Sequence, residues 1–254
     1  MEKININGLN IAYTRHGKGI PLVLIHGYPL DHTTWNDVLP LLENEFDVIM
    51  PDLRGFGESD VAEGQYTISD MATDITGLLD ALSIEKSFVA GHSMGGYISL
   101  AFAGSYSHRV LGLGLVSTQA MADPPERKRG RYASAEEIMK TGIGPVSDSF
   151  PALLSPDQKV QVIVREVIAK QPPEGLAGAL RAMAERDDSS SILSNFEFPV
   201  AIVHGDADAL IPIQRAREIK DAIPHATLLE LPEVGHMPAM ESPEAVASAL
   251  KKML

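Results

Sequence analysis

Residues Gly91-His92-Ser93-Met94-Gly95 place one hydroxyl among glycines, where an apolar run (Phe88-Val89-Ala90) meets a helix-like run (Tyr97-Ile98-Ser99-Leu100) with no turn-forming spacer. The chemistry open to such a residue is nucleophilic. The G-x-S-x-G spacing at a strand-to-helix corner lifts the serine above the end of a sheet on a strained turn. Glycines two residues to either side remove side chains that would clash across it. The helix that follows aims its first amides at the same point, where they stabilise negative charge. A structural glycine-rich turn could produce the same string, but the strand before and the helix after favour the nucleophile.

A serine hydroxyl needs a base, and the base needs an orienting acid. Of the eight histidines, His236 in "LPEVGHMPAM" falls between the last strand and the last helix, at the same end of the sheet as Ser93. His16, His108 and His225 read as surface residues. His32 follows the first buried strand and reads as a solvent contact bordering the pocket. His92 reads as structural packing, and His204, at a strand end, as a buried hydrogen-bonded imidazole. For the acid, "VAIVHGDADALIP" offers Asp206 and Asp208, and strand position favours neither. The order serine, acid, histidine belongs to one class of sheet-based hydrolase and differs from the chymotrypsin and subtilisin orders.

The elements around these residues give a consistent frame. A hairpin opens the chain (Ile4 to Ile6, Leu9 to Tyr13, turning at Asn7-Gly8). Continuous apolar strands in "PLVLIHG", "FDVIMPDL", "SFVAG" and "VLGLGLVS" then alternate with helical segments, among them "TTWNDVLPLLEN" and the amphipathic "ISDMATDITGLLDALSI". Apolar strands separated by helices imply a mostly parallel sheet of about eight strands, covered on both faces. From Gln119 to Asn195 no strand pattern occurs. "SPDQKVQVIVREVIAKQ" and "PPEGLAGALRAMAERDD" read as helices, and the strand-helix cadence resumes at "PVAIVHG" and "ATLLELP". The last helix starts with Ser242 as N-cap and Pro243 at its first position. The expected division is a core of residues 1–118 and 195–254, interrupted by a helical insertion over 119–194, because a structureless loop of roughly 75 residues is improbable.

Composition narrows the function. Apolar residues make up 44% of the 254, enough for a packed core. The formal charge of −13 argues against nucleic acid as a partner. No apolar run approaches the ~20 residues of a membrane helix, and no signal-peptide pattern follows Met1, so a cytoplasmic location with no membrane partner is expected. Cysteine is absent, which removes a thiol nucleophile and disulfides. The basic run Arg127-Lys128-Arg129-Gly130-Arg131 reads as a solvated helix face, with anion recognition the lesser reading. No metal motif occurs, and neither metal nor cofactor is expected. A homo-oligomer stays open.

Several motifs in register make the chain resemble the α/β-hydrolase superfamily over essentially its whole length. "HGYP" (His26 to Pro29) resembles its oxyanion loop, and "DLRGFGESD" (Asp52 to Asp60) its D-x-R-G-x-G-x-S segment. "GHSMGG" resembles its nucleophile elbow, and "GHMPAMESPE" its histidine loop. The pattern G-x-x-D-x-x-x-P fits Gly205, Asp208 and Pro212, so the resemblance selects Asp208 over Asp206. It implies a catalytic set of Ser93, Asp208 and His236, an oxyanion hole from the backbone N–H groups of Tyr28 and Met94, and a cap formed by 119–194. His26 is expected to tie its own loop, Asp52 and Arg54 to pair locally, and Trp35 to serve helix packing.

Dehalogenases and epoxide hydrolases of this superfamily carry aspartate at the elbow, which Ser93 argues against. Within the serine members the chain looks most like carboxylesterases and enol-lactonases of the 3-oxoadipate type. Enol-lactone substrates carry a carboxylate, for which Arg181 or Arg186 is the candidate partner. A carboxylesterase acting on small to medium acyl esters through an acyl-enzyme is the leading expectation. "HGYPLDHTTW" is also similar to cofactor-free perhydrolases, where peroxide competes with water. A small-molecule signal receptor that retains the hydrolase residues is the alternative of another class.

Overall fold

The computed structural model describes residues 1–254. Eight strands form one sheet: β1 (Glu2–Ile6), β2 (Leu9–His16), β3 (Ile20–Ile25), β4 (Phe46–Pro51), β5 (Ser87–His92), β6 (Val110–Val116), β7 (Val200–Gly205) and β8 (Thr227–Leu231). Their order is β1-β2-β4-β3-β5-β6-β7-β8. The hairpin β1–β2 pairs antiparallel, β2 is antiparallel to β4, and every pairing from β4 to β8 is parallel. This is the mostly parallel, helix-flanked sheet that the apolar strands imply.

The helices are α1 (Leu39–Leu42), α2 (Ile68–Ala81), α3 (Met94–Ser105), α4 (Pro125–Thr141), α5 (Gly144–Ser149), α6 (Pro151–Leu154), α7 (Gln158–Ile168), α8 (Pro173–Ala184), α9 (Gln214–Ala222), α10 (Pro238–Glu241) and α11 (Pro243–Lys251). Strand residues alternate between two apolar layers, because successive side chains leave opposite faces. Val23, Ile25, Val89, Leu113 and Leu115 join the layer containing α2 and α3. Leu22, Leu24, Phe88, Ala90 and Val203 join the layer containing α1 and α11. Fully burying each of the Val, Leu, Ile and Phe side chains among these contributes about 1.5–3 kcal/mol. Helix α2 begins on a full capping box, with Thr67 and Asp70 each bonding the other's main chain. In α11, Ser242 does hold the N-cap position before Pro243, but its side chain makes no capping bond.

The segment expected as one helix around Trp35 is broken. It forms a 3-10 turn (His32–Trp35) and the single turn α1, with Pro40 at the start of α1. Trp35 is fully buried and packs in the α1/α11 layer. Between β6 and β7 lie α4 to α8 and a 3-10 turn (Ser190–Asn195), with no strand. This helical segment sits over the loops at the C-terminal ends of the strands. Gly55, at φ +79°, meets Gly175 of α8 so closely that a Cβ on Gly175 would stand 1.7 Å from the Gly55 carbonyl oxygen. Gln171 of the helical segment bonds two core loops at the same junction, accepting from Gly57 N–H at 2.8 Å and donating to Asp31 at 3.2 Å.

Candidate active site

Ser93 joins β5 to α3 at φ 52° and ψ −111°, a conformation that costs a non-glycine residue about 1–3 kcal/mol. The surroundings hold it there. Its N–H donates to Val116 O at 2.9 Å, and its carbonyl accepts from Gly96 N–H and Thr118 Oγ1, each at 2.9 Å. A Cβ on Gly91 would lie 2.1 Å from Gly95 O, and one on Gly95 would lie 2.3 Å from Ile25 O. The turn therefore requires glycine at both positions.

His236 lies in the loop between β8 and α10, whose main chain is fixed at consecutive residues. Gly235 N–H and Met237 N–H donate to the two oxygens of Glu241, at 2.8 and 3.1 Å. His236 N–H donates to Leu154 O of α6 at 2.8 Å, and its carbonyl lies 2.6 Å from His92 Nε2. A carbonyl only accepts, so His92 carries its proton on Nε2. Burial, with the neighbouring His236, pushes the His92 pKa down to about 3 and keeps the ring neutral.

The His236 side chain donates from Nδ1 to Asp208 Oδ2 at 2.6 Å. Asp208 Oδ1 accepts from Leu210 and Ile211 N–H at 2.8 and 2.9 Å, and His204 Nε2 stands 3.3 Å from Oδ2 while also donating to Ile211 O. Burial alone would raise this carboxyl, but facing His236, with donors on both oxygens, holds it well below the usual carboxylate range. Asp206 is exposed and accepts only from Glu233 N–H, at 2.7 Å. The structure thus brings Asp208, and not Asp206, to His236.

Ser93 and His236 line one cavity of about 290 Å³, together with Tyr28, Tyr97, Arg127, Arg131 and further apolar residues. The Ser93 hydroxyl makes no hydrogen bond to the His236 ring; bonds of this kind commonly tighten only around substrate. Tyr28 and Met94 are buried, and neither backbone N–H donates to another protein group, which is rare for buried amides. The Tyr28–Pro29 peptide is cis. Most of the cavity's remaining wall comes from the helical segment: Phe150, Leu180 and Met183 beside the two arginines.

Several side chains lie elsewhere than the sequence suggests. Asp52 and Arg54 do not pair. Arg54 forms two 2.6 Å bonds with Asp74 of α2, and Asp52 bonds His32 Nδ1 at 2.7 Å and the Glu58 N–H at 2.9 Å. His32 is accordingly a half-buried loop clamp rather than a solvent contact. Burial opposes its charge, but the Asp52 hydrogen bond and charge outweigh that and raise its pKa. Asp31, His32 and Asp52 offer ligand atoms within 4.8 Å of one another, yet these atoms already serve loop hydrogen bonds. His26 accepts from Leu53 N–H at 3.0 Å through Nε2, which ties its own loop to the β4 exit.

Neither Arg181 nor Arg186 lines the Ser93 cavity. Arg181 borders a separate surface cavity with Tyr66 and Glu174, and Arg186 lies behind Tyr97. The basic run supplies Arg127 and Arg131 instead, so it is not wholly a solvated face. Buried Asp123 anchors them, paired with Arg131 Nε and 3.7 Å from Arg127 Nε. The signal available in the sequence was the four-residue spacing from Asp123 to Arg127 to Arg131, which puts all three along one side of the helix start.

The alpha/beta hydrolase fold family matches residues 20–141. A dihydrolipoyllysine-residue acetyltransferase component of the acetoin cleaving system from Pseudomonas putida is 33% identical over 96% of this chain, which spans only about two thirds (66%) of that relative. The structure superposes on a thermophilic esterase from Thermogutta terrifontis with a TM-score of 0.95 and 36% identity, covering 99% of this chain and 97% of that one. The enol-lactonase from Burkholderia xenovorans shares the fold at a TM-score of 0.92 and 24% identity, with 99% of each chain covered. A serine on a strained strand-to-helix corner, in an eight-stranded sheet that matches these proteins nearly end to end, places this chain in the alpha/beta hydrolase fold family.

Proposed function

We propose that the protein is a serine carboxylesterase that cleaves esters of small to medium acyl chain through an acyl-enzyme. The observation that carries this reading is the 2.6 Å bond from His236 Nδ1 to Asp208, made in the wall of the cavity that Ser93 lines. With Nδ1 committed to the carboxylate, Nε2 is the nitrogen left to take a proton. Ser93 Oγ attacks the ester carbonyl carbon as its proton passes to His236 Nε2. The tetrahedral oxyanion is met by the free N–H groups of Tyr28 and Met94, and collapse expels the alcohol, which takes the proton back. Water then repeats the sequence on the acyl-enzyme and releases the acid. Asp208, held ionised, fixes the tautomer and stabilises the transient imidazolium. Serine at the corner favours ester over epoxide chemistry, because an acyl-enzyme on serine is released by the same base. No helix is long and apolar enough to cross a membrane, and a cavity of about 290 Å³ supports a small-molecule ester as the substrate.

Hydrolysis of a p-nitrophenyl ester series from acetate upward, with wild type and Ser93→Ala, tests the reading. Sustained turnover that Ser93→Ala lowers by about 10⁶ supports it. One burst followed by stalling indicates a receptor that retains the site, and undiminished turnover in Ser93→Ala refutes the nucleophile.

A second reading concerns the acid portion. Two guanidinium groups, Arg127 and Arg131, line the Ser93 cavity of a protein that is otherwise strongly acidic. They favour esters or enol-lactones that carry a free carboxylate, held by charge-assisted hydrogen bonds.

A further inference from the structure

Two cavities meet at one side chain. The Ser93 cavity and a second cavity of about 320 Å³ share a single lining residue, Tyr97. Tyr97 stands one helical turn after Ser93 on α3, and its N–H donates to Ser93 O at 3.3 Å. Tyr97 is 5% exposed, and its ring is covered by the Arg186 guanidinium, 4.2 Å from its centroid. Arg186 is itself immobilised. Its Nη1 donates to Met183 O at 2.9 Å and stands 2.9 Å from Asp123, while Nη2 donates to Met121 O at 2.8 Å. Beyond the ring, the second cavity presents an apolar patch from Leu100, Ala101, Ala120 and Ile192, while its outer rim is polar and carries Glu185, Asp187 and Asp188. Arg186, which also lines it, keeps a buried Nε–H without a partner.

We propose that Tyr97 is a specificity-determining wall of the substrate cavity, clamped by Arg186, and that the second cavity is space a longer acyl chain enters only when the ring is removed. The Ser93 cavity alone, at about 290 Å³, lies at the lower end of small-molecule sites, which span ~300–1,000 Å³. Opening the wall roughly doubles the space available. The apolar patch that Leu100 and Ala101 offer one turn beyond the ring on α3 suits methylene groups, so the wall limits chain length and has no part in the bond-breaking step. This inference rests on the ester-hydrolase reading above.

The test is the ratio of kcat/KM for p-nitrophenyl octanoate to that for the butanoate, measured within each variant. Tyr97→Ala raises the ratio by at least about tenfold, the scale of apolar pocket discrimination. Adding Ala101→Trp, which fills the second cavity, returns the ratio toward the wild-type value. If Tyr97→Ala does not fold, Tyr97→Leu carries the same expectation. An unchanged ratio in a folded, active Tyr97 variant overturns the proposal, as does an increase that Ala101→Trp leaves in place. A wild-type protein that hydrolyses no member of the series overturns the ester reading and this inference with it, which separates the two failures.

Discussion

His92 Nε2 lies 2.6 Å from the carbonyl oxygen of His236, so the residue beside the nucleophile in sequence grips the main chain of the proposed base from 144 positions away. The contact couples the two loops that must stay in register for proton transfer. It also gives the variable position of the G-x-S-x-G motif a physical task. A phenylalanine would fill the same space without the donor.

His92→Phe therefore lowers kcat by about 10- to 100-fold with little change in KM, since small misplacements of a base cost rate on that scale. The buried carbonyl of His236 loses its partner as well, which costs about 1–3 kcal/mol of stability. Steady-state kinetics and denaturant midpoints check both effects. An unchanged kcat would show that Glu241 and Leu154 hold the loop without help.

The two carboxylates of the β7 loop separate cleanly by substitution. Asp208→Asn removes the acceptor that fixes the His236 tautomer, and a fall in kcat of about 10⁴ is expected. Asp206→Asn, at an exposed residue bonded only to Glu233 N–H, stays within a few-fold of wild type. Kinetics of the pair on one substrate decides, and the reverse order would mean the orienting acid is misassigned.

How much of this was legible in the sequence depends on the range of the interaction. The elbow and the strands were legible from local pattern, because Gly91, Ser93 and Gly95 act across a single turn, whereas His236 was picked out by its place between the last strand and the last helix. The partners of Arg54 and Asp52 were not legible. Asp74 meets Arg54 only after α2 folds back on the loop, and His32 reaches Asp52 from a different strand exit. The arginines of the cavity escaped for a related reason. A basic run on a helix is usually solvated, and the sequence spacing does not show that the side chain of Asp123, four and eight residues earlier, is buried and holds Arg127 and Arg131 against the cavity. Helix continuity near Trp35 failed locally, where Pro40 and the preceding 3-10 turn divide the segment.

The two cavity arginines predict a charge preference. Against a neutral ester of matched length, a p-nitrophenyl hemisuccinate is favoured in kcat/KM by wild type. Arg127→Gln, the more exposed of the two, reduces that preference by about 10- to 150-fold, the scale of one charged hydrogen bond. Equal preference in wild type and variant would remove the carboxylate reading.

Stability should fall with acid earlier than carboxylate titration alone would produce. His92 in the folded protein has its pKa pushed from 6.5 down to about 3, and burial also lowers that of His26. Between those values the unfolded chain binds a proton that the folded His92 refuses, so stability rises with pH and is lost as pH falls from about 6.5 toward 3. Each such histidine contributes a slope of up to about 1.4 kcal/mol per pH unit. His32, raised by Asp52, opposes this with stability that is present at low pH and lost as pH rises through its folded pKa. The depressed Asp208 adds stability above its unfolded value near 4 that is lost below it. Urea midpoints at pH 7 and pH 5 should therefore differ in favour of pH 7, and His92→Phe should reduce the difference. A flat profile would mean these imidazoles titrate in the folded state.

The most direct measurement is peptide mapping after reaction with a fluorophosphonate, where Ser93 Oγ displaces fluoride and keeps a stable phosphonyl ester. The account predicts one label per chain, on the peptide containing Ser93, with ester hydrolysis lost in proportion to labelling. Full hydrolysis by chains labelled at Ser93, or inactivation that tracks a label on any other residue, would contradict it.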